Sequence, residues 1–465
     1  MRAVAMNLKE RVESAPMSRT QYAVISLCVA MNMLDGFDVL ALAFSSSHIA
    51  DEWQLSGGQL GVLLSSALLG MAVGSAFVSQ VADVIGRRAT ILACGVVIAV
   101  GMGLSAAATG YEMLLVVRVL TGLAIGTLQA CLNVLVSEYS SAKHRPTAIS
   151  FYTAGQPIGG TLGGILAGVL LAALGWRSVF AVGAVATAVL MIVVWRVLPE
   201  SIDYLVSRRP RGALERLNRI LTRIGQPPEA ALPPAEPART AAARWRDVLA
   251  GRAGLVTASL GIAFFMLMAG FYFANSWTPQ LVVLNGFAAS DGVQAGVMFS
   301  VGGIVGSLGF GPVASRLGVR PTLIVCFVLA GAAFAGYATS MSSLVTAFVL
   351  AAALGAMTSA AMAGMFSIGP VYFSAAARAT GVGLIIGLGR VGAIVSPIVA
   401  GRLLDTGWEP GQLYYLFVIP MLVGAAAIAL LRRRPVVPEP ATRPSASTPA
   451  AAVAHAAPQS EGGSA

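Results

Sequence analysis

Two aspartates lie within a long apolar run near the start of the chain. Burial of such a run in hydrocarbon makes a charged side chain energetically costly. Asp35 and Asp38 are three residues apart, which places them on one face of a helix. Intramembrane acids usually serve a function, and two carboxylates on one apolar face resist simultaneous ionisation. We therefore expect the pair to bind and release a proton. The structural alternative is that Asp38 caps or pairs with a neighbouring helix while Asp35 lies near the cytoplasmic mouth.

An arginine interrupts another apolar run, at Arg118, followed by Gly122 and Gly126. Glycines at four-residue spacing let a neighbouring helix approach closely. A buried guanidinium stays charged and needs a carboxylate nearby. Asp35 and Asp38 are the natural partners, so we predict a proton-sensitive ion pair with Arg118 that also contributes to substrate binding. A static structural pair is the alternative.

Arg390 lies in a later apolar run with no acid in the same span. It follows Arg378 by twelve residues, a distance of roughly 18 Å along a helix. A mid-membrane arginine that faces a cavity can bind a substrate carboxylate in bidentate fashion. We predict that role for Arg390, with snorkelling to a membrane surface as the alternative.

Further polar and aromatic side chains in the apolar runs are candidates for binding a flat cargo. The aromatics of residues 271–279 can stack on a ring, although Trp and Tyr are also common membrane-interface anchors. The candidate substrate-binding residues, besides the two arginines, are Gln129, Tyr152, Gln156, Tyr272, Asn275 and Trp277.

These residues require a membrane-spanning framework. The chain of 465 residues is 57% hydrophobic and 11% charged, against about 25% charged in soluble domains. Its apolar runs approach the roughly 20 residues that a spanning helix needs. The fold class is therefore an all-α membrane protein with twelve spans, near 20–44, 58–80, 89–108, 113–136, 147–173, 177–197, 253–275, 293–314, 321–339, 344–370, 380–403 and 412–431.

Metal, enzyme and nucleic-acid chemistry have no support in the sequence. The cysteines fall inside predicted spans without CxxC pairing. No metal cluster, nucleophile and base, or phosphate loop is recognisable, so we expect no enzyme activity and no cofactor. The net charge of +10 comes from loops between spans, so the expected partner is the lipid bilayer rather than nucleic acid.

The basic residues lie in alternate connections between the spans. Lys and Arg are enriched in short cytoplasmic loops, so both termini are predicted to be cytoplasmic, in the inner membrane. The basic residues that set this orientation are Lys9, Arg11, Arg19, Arg87, Arg88, Lys143, Arg145, Arg208, Arg209, Arg211, Arg316, Arg320, Arg378, Arg432, Arg433 and Arg434.

The chain repeats itself at an offset of about 232 residues, which aligns Gly70 with Gly302 and Arg88 with Arg320. Parallel six-helix repeats with a substrate path between them are one architecture of secondary transporters. The predicted organisation is an N-terminal tail (1–19), a six-helix bundle (20–198), a cytoplasmic linker (199–252), a second bundle (253–431) and a disordered tail (432–465). We expect the linker to be a solvated tether.

Three motifs resemble the major facilitator superfamily, across residues 20–431. Residues 81–88 are similar to its loop motif between spans two and three, and residues 311–320 to the second-half copy, with Ser315 in place of the acid. The stretch from Arg118 to Gly126 is similar to a motif of proton-coupled members. This resemblance implies a cytoplasmic gate, for which the candidates are Asp83, Gly86, Arg87, Arg88, Glu138, Arg145 and Arg378.

Within that superfamily, the chain resembles the aromatic acid:proton symporter family. The resemblance rests on Asp35-Gly-Phe-Asp38, on Pro199-Glu-Ser201 and on the stretch from Arg378 to Arg390. It implies that Asp35 and Asp38 are needed for transport, that Arg118 and Arg390 belong to a central charged set, and that benzoate-like anions are imported.

The sequence thus predicts a proton-coupled importer, expected to be a monomer, that carries a small organic anion by alternating access. The resemblance implies that this anion is an aromatic carboxylate such as a hydroxybenzoate. An exporter of drugs or metabolites is the alternative, because residues 155–160 partly resemble a motif of proton-linked exporters. A membrane sensor that signals through the linker or the C-terminal tail is a further alternative.

Overall fold

Twelve long helices form the framework of the computed structural model, which describes residues 8–233, 248–339, 343–373 and 378–431. All twelve are long and apolar enough to cross a membrane, which confirms the predicted spans. In chain order they are α1 Arg19–Trp53, α2 Gly57–Ala76, α3 Arg87–Ala106, α4 Tyr111–Glu138, α5 Arg145–Leu174, α6 Trp176–Val197, α7 Gly251–Leu284, α8 Ala289–Leu317, α9 Val319–Thr339, α10 Leu344–Tyr372, α11 Arg378–Asp405 and α12 Pro410–Leu430.

The first helix is longer than the sequence indicated. It begins at a capping box, in which the Ser18 hydroxyl accepts from the Gln21 amide, and it continues to Trp53 before Gln54 adopts a left-handed conformation. The predicted span ended at residue 44 because Ser45, Ser46, Ser47 and His48 lower the local hydropathy. Ser45, Ser46 and Ser47 are buried, and the helix satisfies its own backbone hydrogen bonds, so it continues through them.

The internal repeat is visible in corresponding helix contacts. Gly70 and Gly74 of α2 lie against the backbone oxygens of Val119 and Leu123 in α4. Gly302 and Gly306 of α8 lie in the same way against Ala352 and Ala356 of α10. A Cβ at any of these glycines would overlap a carbonyl oxygen, so the close approach of these helices depends on glycine.

Two turns at the same end of the molecule repeat as well. Gly86 and Gly318 both have a positive φ, of 101° and 91°, which glycine adopts without strain. Two residues further on, Arg88 donates to the Trp195 carbonyl at 2.5 Å and Arg320 donates to the Ala429 carbonyl at 2.5 Å. Each arginine thus satisfies free carbonyl groups at the end of a helix. We call this end of the helices, where α1 begins, the basic end, and the other the far end.

The first part of the linker is folded. Short helices Leu8–Ser14, Ile202–Arg208 and Ala213–Arg223 lie at the basic end. Leu205, Leu217 and Leu221 are buried, and Arg11 pairs with Glu229. Residues 199–233 therefore form a packed collar rather than the expected solvated tether. Residues 234–247 and the C-terminal tail from 432 lie outside the described residues.

The two halves meet through α2 with α11 and through α5 with α8. Gly57 and Gly61 of α2 lie against Gly401 and Pro397 of α11. The Ser65 hydroxyl donates to the Ile394 carbonyl at 2.8 Å. Because these contacts follow α2 from its start at the far end, the halves are joined there and diverge toward the basic end.

A matched pair of substitutions in α8 tests the close helix contact. Gly306→Ala places a methyl group against the Ala356 carbonyl, whereas nothing lies within 4 Å of a Cβ at Gly309. Overpacking costs about 1–3 kcal/mol, so Gly306→Ala should lower the melting temperature of the purified protein in detergent. Gly309→Ala should leave it unchanged or raise it, because alanine favours helix. Equal melting temperatures for the two variants would contradict the packing.

Candidate functional site

A cavity of about 1000 Å³ lies between the two halves. It extends to the basic end, where Phe77 after α2, Ser150 of α5 and Ser307 of α8 line it. Toward the far end the lining includes Leu40 of α1 and Ile394 of α11, beyond which the contacts between α2 and α11 close the path. The cavity is therefore accessible from the basic end and closed at the far end.

A buried ion pair holds α1 against α4 beside the cavity. One guanidinium nitrogen of Arg118 donates to both carboxylate oxygens of Asp38, at 2.7 and 3.0 Å, and both side chains are 1% exposed. The Arg118 guanidinium also lies over the Phe180 ring, 5.5 Å from its centroid. Neither residue lines the cavity, so the expected contact of Arg118 with substrate is not present in this conformation. A buried pair of this kind is costly to break on one side only.

Asp35 lies in the middle of α1, sixteen residues after Arg19 and eighteen before Trp53, and not near a mouth. Its side chain is buried, and the Gln129 amide donates to its Oδ2 at 2.5 Å. The other oxygen, Oδ1, has no hydrogen-bond partner among the described residues. Asp35 thus differs from Asp38, because it has no ion-pair partner within hydrogen-bond distance in the part of the chain described.

Arg390 lines the cavity on the side of the second half. Its side chain is half-buried and, across the described ranges, makes no ion pair or hydrogen bond. The guanidinium lies close enough to Asp35 and Tyr272 to act on both electrostatically. An unpaired guanidinium next to a cavity is suited to bind a carboxylate or another planar anion.

Aromatic rings surround this arginine. Tyr272 packs edge-on against Phe271, with centroids 5.2 Å apart, and Phe271 lies 5.6 Å from Phe299. Phe264 and Phe366 form a second edge-on pair at 5.7 Å. All five rings line the cavity, so the wall of the second half combines one cation with flat apolar faces. Phe264, Phe299 and Phe366 were not among the predicted site residues, because a phenylalanine in an apolar span gives no signal of its own.

Amide and hydroxyl groups line the opposite wall. The candidates Gln129, Gln156 and Tyr152 all contribute to this wall, and the candidate Asn275 lines the cavity on the side of the second half. Asn32 also lines the cavity and donates to the Tyr152 carbonyl at 2.6 Å. Asn32 was missed, although an amide three residues before Asp35 on the same helix is a signal that could have identified it.

Trp277 does not line the cavity, contrary to its place among the expected substrate-binding residues. Its side chain is fully buried, and its indole donates to the Pro397 carbonyl at 3.1 Å. The ring also lies against Gly401 of α11. Trp277 therefore packs between α7 and α11, where it helps to hold α11 in place near the far end.

The candidate gate residues form contacts within the first half and the collar. Arg87 pairs with Glu138 and donates to the Ser201 hydroxyl at 3.0 Å. Asp83 is 66% exposed and lies 3.9 Å from Arg87. Gly86 forms the turn that precedes Arg87. None of these contacts reaches the second half within the described residues, in keeping with a cavity that is accessible from this end.

Two other gate candidates bind the collar and the N-terminal helix Leu8–Ser14, respectively. The backbone amide of Arg88 donates to Glu200 at 2.9 Å, and Arg145 donates to Glu13 of the N-terminal helix at 2.8 Å. Arg378 is the first residue of α11, and its side chain lies outside the described part of the structure. The gate candidates thus anchor residues 8–14 and 199–202 to the first bundle.

An acid joins the two halves at the far end. The Asp405 carboxylate, at the end of α11, accepts from the Gly57 and Gly58 amides at 2.6 and 2.8 Å. These are the first amides of α2, which have no partner inside their own helix, and the helix dipole favours an anion there. Asp405 was not among the predicted site residues, because its helix-terminal position alone did not indicate which helix it would meet.

Taken together, these groups can bind a flat anion and a proton. The wall of the second half supplies the Arg390 guanidinium and aromatic rings. Behind the wall of the first half lies the Asp35 carboxylate, whose Oδ1 has no hydrogen-bond partner among the described residues. The described residues contain no group of His, Cys, Asp and Glu that could hold a metal ion.

Sequence comparison places the chain among membrane transporters. The 4-hydroxybenzoate transporter PcaK of Pseudomonas putida is 28% identical over 91% of this chain and 95% of that protein. The gallate transporter of the same species is 28% identical over 94% and 98%. The benzoate transport protein of Acinetobacter baylyi is 26% identical over 94% and 95%.

Solved structures with the same fold include the xylose transporter XylE from Escherichia coli, in a partially occluded inward-open conformation. The TM-score is 0.70 at 14% sequence identity, over 89% of this chain and 98% of that chain. A bacterial homologue of the human lysosomal transporter Spinster gives a TM-score of 0.65 at 17% identity, over 88% and 96%. At these identities the likeness shows the fold alone.

The sequence profile described as Major Facilitator Superfamily matches residues 25–314 and 295–459. Together with the twelve helices and the repeated halves, this match shows that the chain belongs to the Major Facilitator Superfamily and is a multi-pass membrane transporter rather than an enzyme.

Proposed function

We propose that this chain is a proton-coupled importer of a small aromatic carboxylate. The observation that carries the proposal is Arg390, which lines a cavity among aromatic rings without an ion-pair partner among the described residues. A carboxylate on a flat ring satisfies both features, because the guanidinium binds the acid and the rings stack on the cargo.

The relatives support this class of cargo. Proteins named for the transport of 4-hydroxybenzoate, gallate and benzoate match the chain over more than nine-tenths of its length. All three named compounds are benzoic acids that differ in ring hydroxylation. We therefore infer a benzoate-like anion, with hydroxyl groups that the amides of the first-half wall can bind.

The basic end faces the cytoplasm in this proposal. Lys and Arg concentrate in the connections at that end, as is typical of short cytoplasmic loops, which supports cytoplasmic termini for a protein of the inner membrane. The cavity then corresponds to an inward-facing state from which the cargo is released.

Asp35 is the better supported site for the transported proton. Protonation of Asp38 would remove the partner of a buried arginine, which is costly. Protonation of Asp35 breaks no ion pair within the described residues. An anion that enters with one proton crosses without net charge, so the membrane potential, worth about 2.3 kcal/mol per charge per 100 mV, does not oppose it.

An exporter of lipophilic cations has less support from the same observations. Arg390 would repel a cation in the cavity, and burial of like charges without a partner is unfavourable. Alternating access remains the mechanism in either case, with the two halves rocking about a central site.

Removal of the guanidinium tests cargo binding. We expect Arg390→Ala to lower the ratio of Vmax to KM for labelled 4-hydroxybenzoate uptake by at least about 30-fold, because charge-assisted hydrogen bonds contribute about 1.5–3 kcal/mol each. The ratio for Arg390→Lys should lie between those of the wild type and Arg390→Ala, since an ammonium keeps the charge but does not bind in bidentate fashion. Arg316→Ala removes an exposed arginine from α8 and should transport normally; unchanged uptake in Arg390→Ala would refute the binding site.

Neutralisation of Asp35 tests proton coupling. In proteoliposomes, Asp35→Asn should abolish accumulation of 4-hydroxybenzoate driven by a pH gradient, because the asparagine cannot carry the proton. Exchange of labelled for unlabelled cargo at equal pH should continue, because Arg390 and the cavity remain. Gradient-driven accumulation at the wild-type rate in Asp35→Asn would assign the proton to another group.

The contact at the far end is testable by thiol labelling. Ser65→Cys places a thiol at the buried contact of α2 with α11. The native cysteines are also buried, so the labelling rate of the protein without this substitution is subtracted as background. Adding Asp405→Asn should raise its labelling rate by an impermeant maleimide from the far end about threefold to tenfold, equivalent to roughly 1 kcal/mol of lost hydrogen bonding.

Asp51→Asn is the control for this measurement. Asp51 is an exposed acid at the same end, and its side chain makes no bond to the second half among the described residues. The same labelling rate in both variants would mean that Asp405 does not hold the halves together.

A further inference from the structure

Gln129 stands between the buried Asp35 carboxyl and the cavity. Its side chain lines the cavity, and Asp35 does not. Its amide nitrogen donates to Asp35 Oδ2 at 2.5 Å. A cargo molecule in the cavity therefore meets the Gln129 amide rather than the Asp35 carboxyl itself.

We propose that Gln129 is a positioning residue that transmits the protonation state of Asp35 to the cargo by turning its amide group. The inference rests on the proposed function, since it explains how one site senses both proton and anion. It assigns to Gln129 a role distinct from that of a simple polar contact.

The hydrogen-bonding inventory of the two groups fixes the direction of the effect. An ionised carboxylate only accepts, so it binds the Gln129 amide nitrogen and leaves the Gln129 carbonyl oxygen for the cavity. A protonated carboxyl has an O–H to donate, which the Gln129 carbonyl can accept. The amide then presents its N–H donors to the cavity. A carboxylate or phenol oxygen of the cargo accepts such donors, and is repelled by a carbonyl oxygen.

The local geometry allows the amide to turn without moving the helix. The Gln129 carbonyl of the main chain accepts from the Tyr152 hydroxyl at 3.3 Å, so the backbone is held while the side chain projects into the cavity. The terminal torsion of glutamine has a broad, roughly two-fold preference, so reversal of the amide needs no unusual rotamer. The cavity of about 1000 Å³ leaves room for the rotation.

The charges around Asp35 reinforce the same direction. Asp38 on the same helix is neutralised by Arg118. Arg390 acts on Asp35 electrostatically from α11, and Tyr152 and Tyr272 face it from α5 and α7. When Asp35 takes up a proton, Arg390 loses that attraction and is free to bind the cargo carboxylate. Binding of the proton then raises the affinity for the anion, and binding of the anion raises the affinity for the proton by the same factor.

The experiment measures the dissociation constant of 4-hydroxybenzoate for the full-length protein in proteoliposomes between pH 6 and 8. For the wild type we expect the constant to rise by at least about fivefold as the pH increases, within the usual range of coupling between two sites. In Gln129→Leu this dependence should fall below about twofold, whatever the change in the affinity itself. Asn133→Leu, one helical turn further along the same wall, is the matched variant. It should change the affinity but keep the pH dependence.

An infrared measurement examines the hydrogen bond directly, and it does not depend on transport. The carboxyl stretching band of protonated Asp35 is identified by its loss in Asp35→Asn. It should shift to higher frequency in Gln129→Leu, and in Gln129→Met if the leucine variant does not fold. In the wild type, addition of 4-hydroxybenzoate should shift the same band.

Different results would overturn the role of Gln129 and the proton-coupled import. Full pH dependence of binding in Gln129→Leu, or a carboxyl band that neither substitution moves, overturns the role of Gln129 and leaves the proton-coupled importer standing. If cargo binding by the wild type does not depend on pH and a pH gradient does not change its uptake, both the proposed function and the role of Gln129 are overturned.

Discussion

The cost of a charge in hydrocarbon is the constraint on which this structure depends. The Asp38 and Arg118 side chains meet that cost by pairing at 2.7 Å where both are almost completely buried, and the pair joins α1 to α4. Asp35 and Arg390 have no such partner among the described residues. They lie on opposite sides of one cavity. Charged side chains beside a cavity within a membrane protein usually serve a function.

Glycine contacts hold the helices together within each of the two halves between which that cavity lies. Close pairs within each half, such as Gly74 against Leu123 and Gly306 against Ala356, bring helix backbones together where the hydrophobic effect gives no driving force between helices. The contacts between the halves are concentrated in α2 with α11 and α5 with α8, and fewer contacts join α1 to α7 and α8. Such an arrangement suits two units that rock against each other.

The two ends of the molecule are held by different chemistry. At the basic end, contacts of Arg88 with Glu200 and of Arg145 with Glu13 anchor the collar and the N-terminal helix to the first half. At the far end, one carboxylate bonds the first amides of a helix from the other half. The second half has Ser315 where the first has Asp83, so the repeat is preserved in its backbone turns and not in its charges.

The sequence by itself determined the twelve helices, the repeat and the residues that carry charge into the membrane. Those features depend on hydropathy and on local spacing, which a linear sequence records directly. The partner of Arg118, the placement of Gln129 between Asp35 and the cavity, and the burial of Trp277 away from it were decided by tertiary structure. Each depends on which helix faces which, and helix rotation is set by packing contacts between residues up to several hundred positions apart, as between Gly57 and Asp405. The collar was likewise missed, because its helices bury leucines against a surface that exists only when the first bundle has folded.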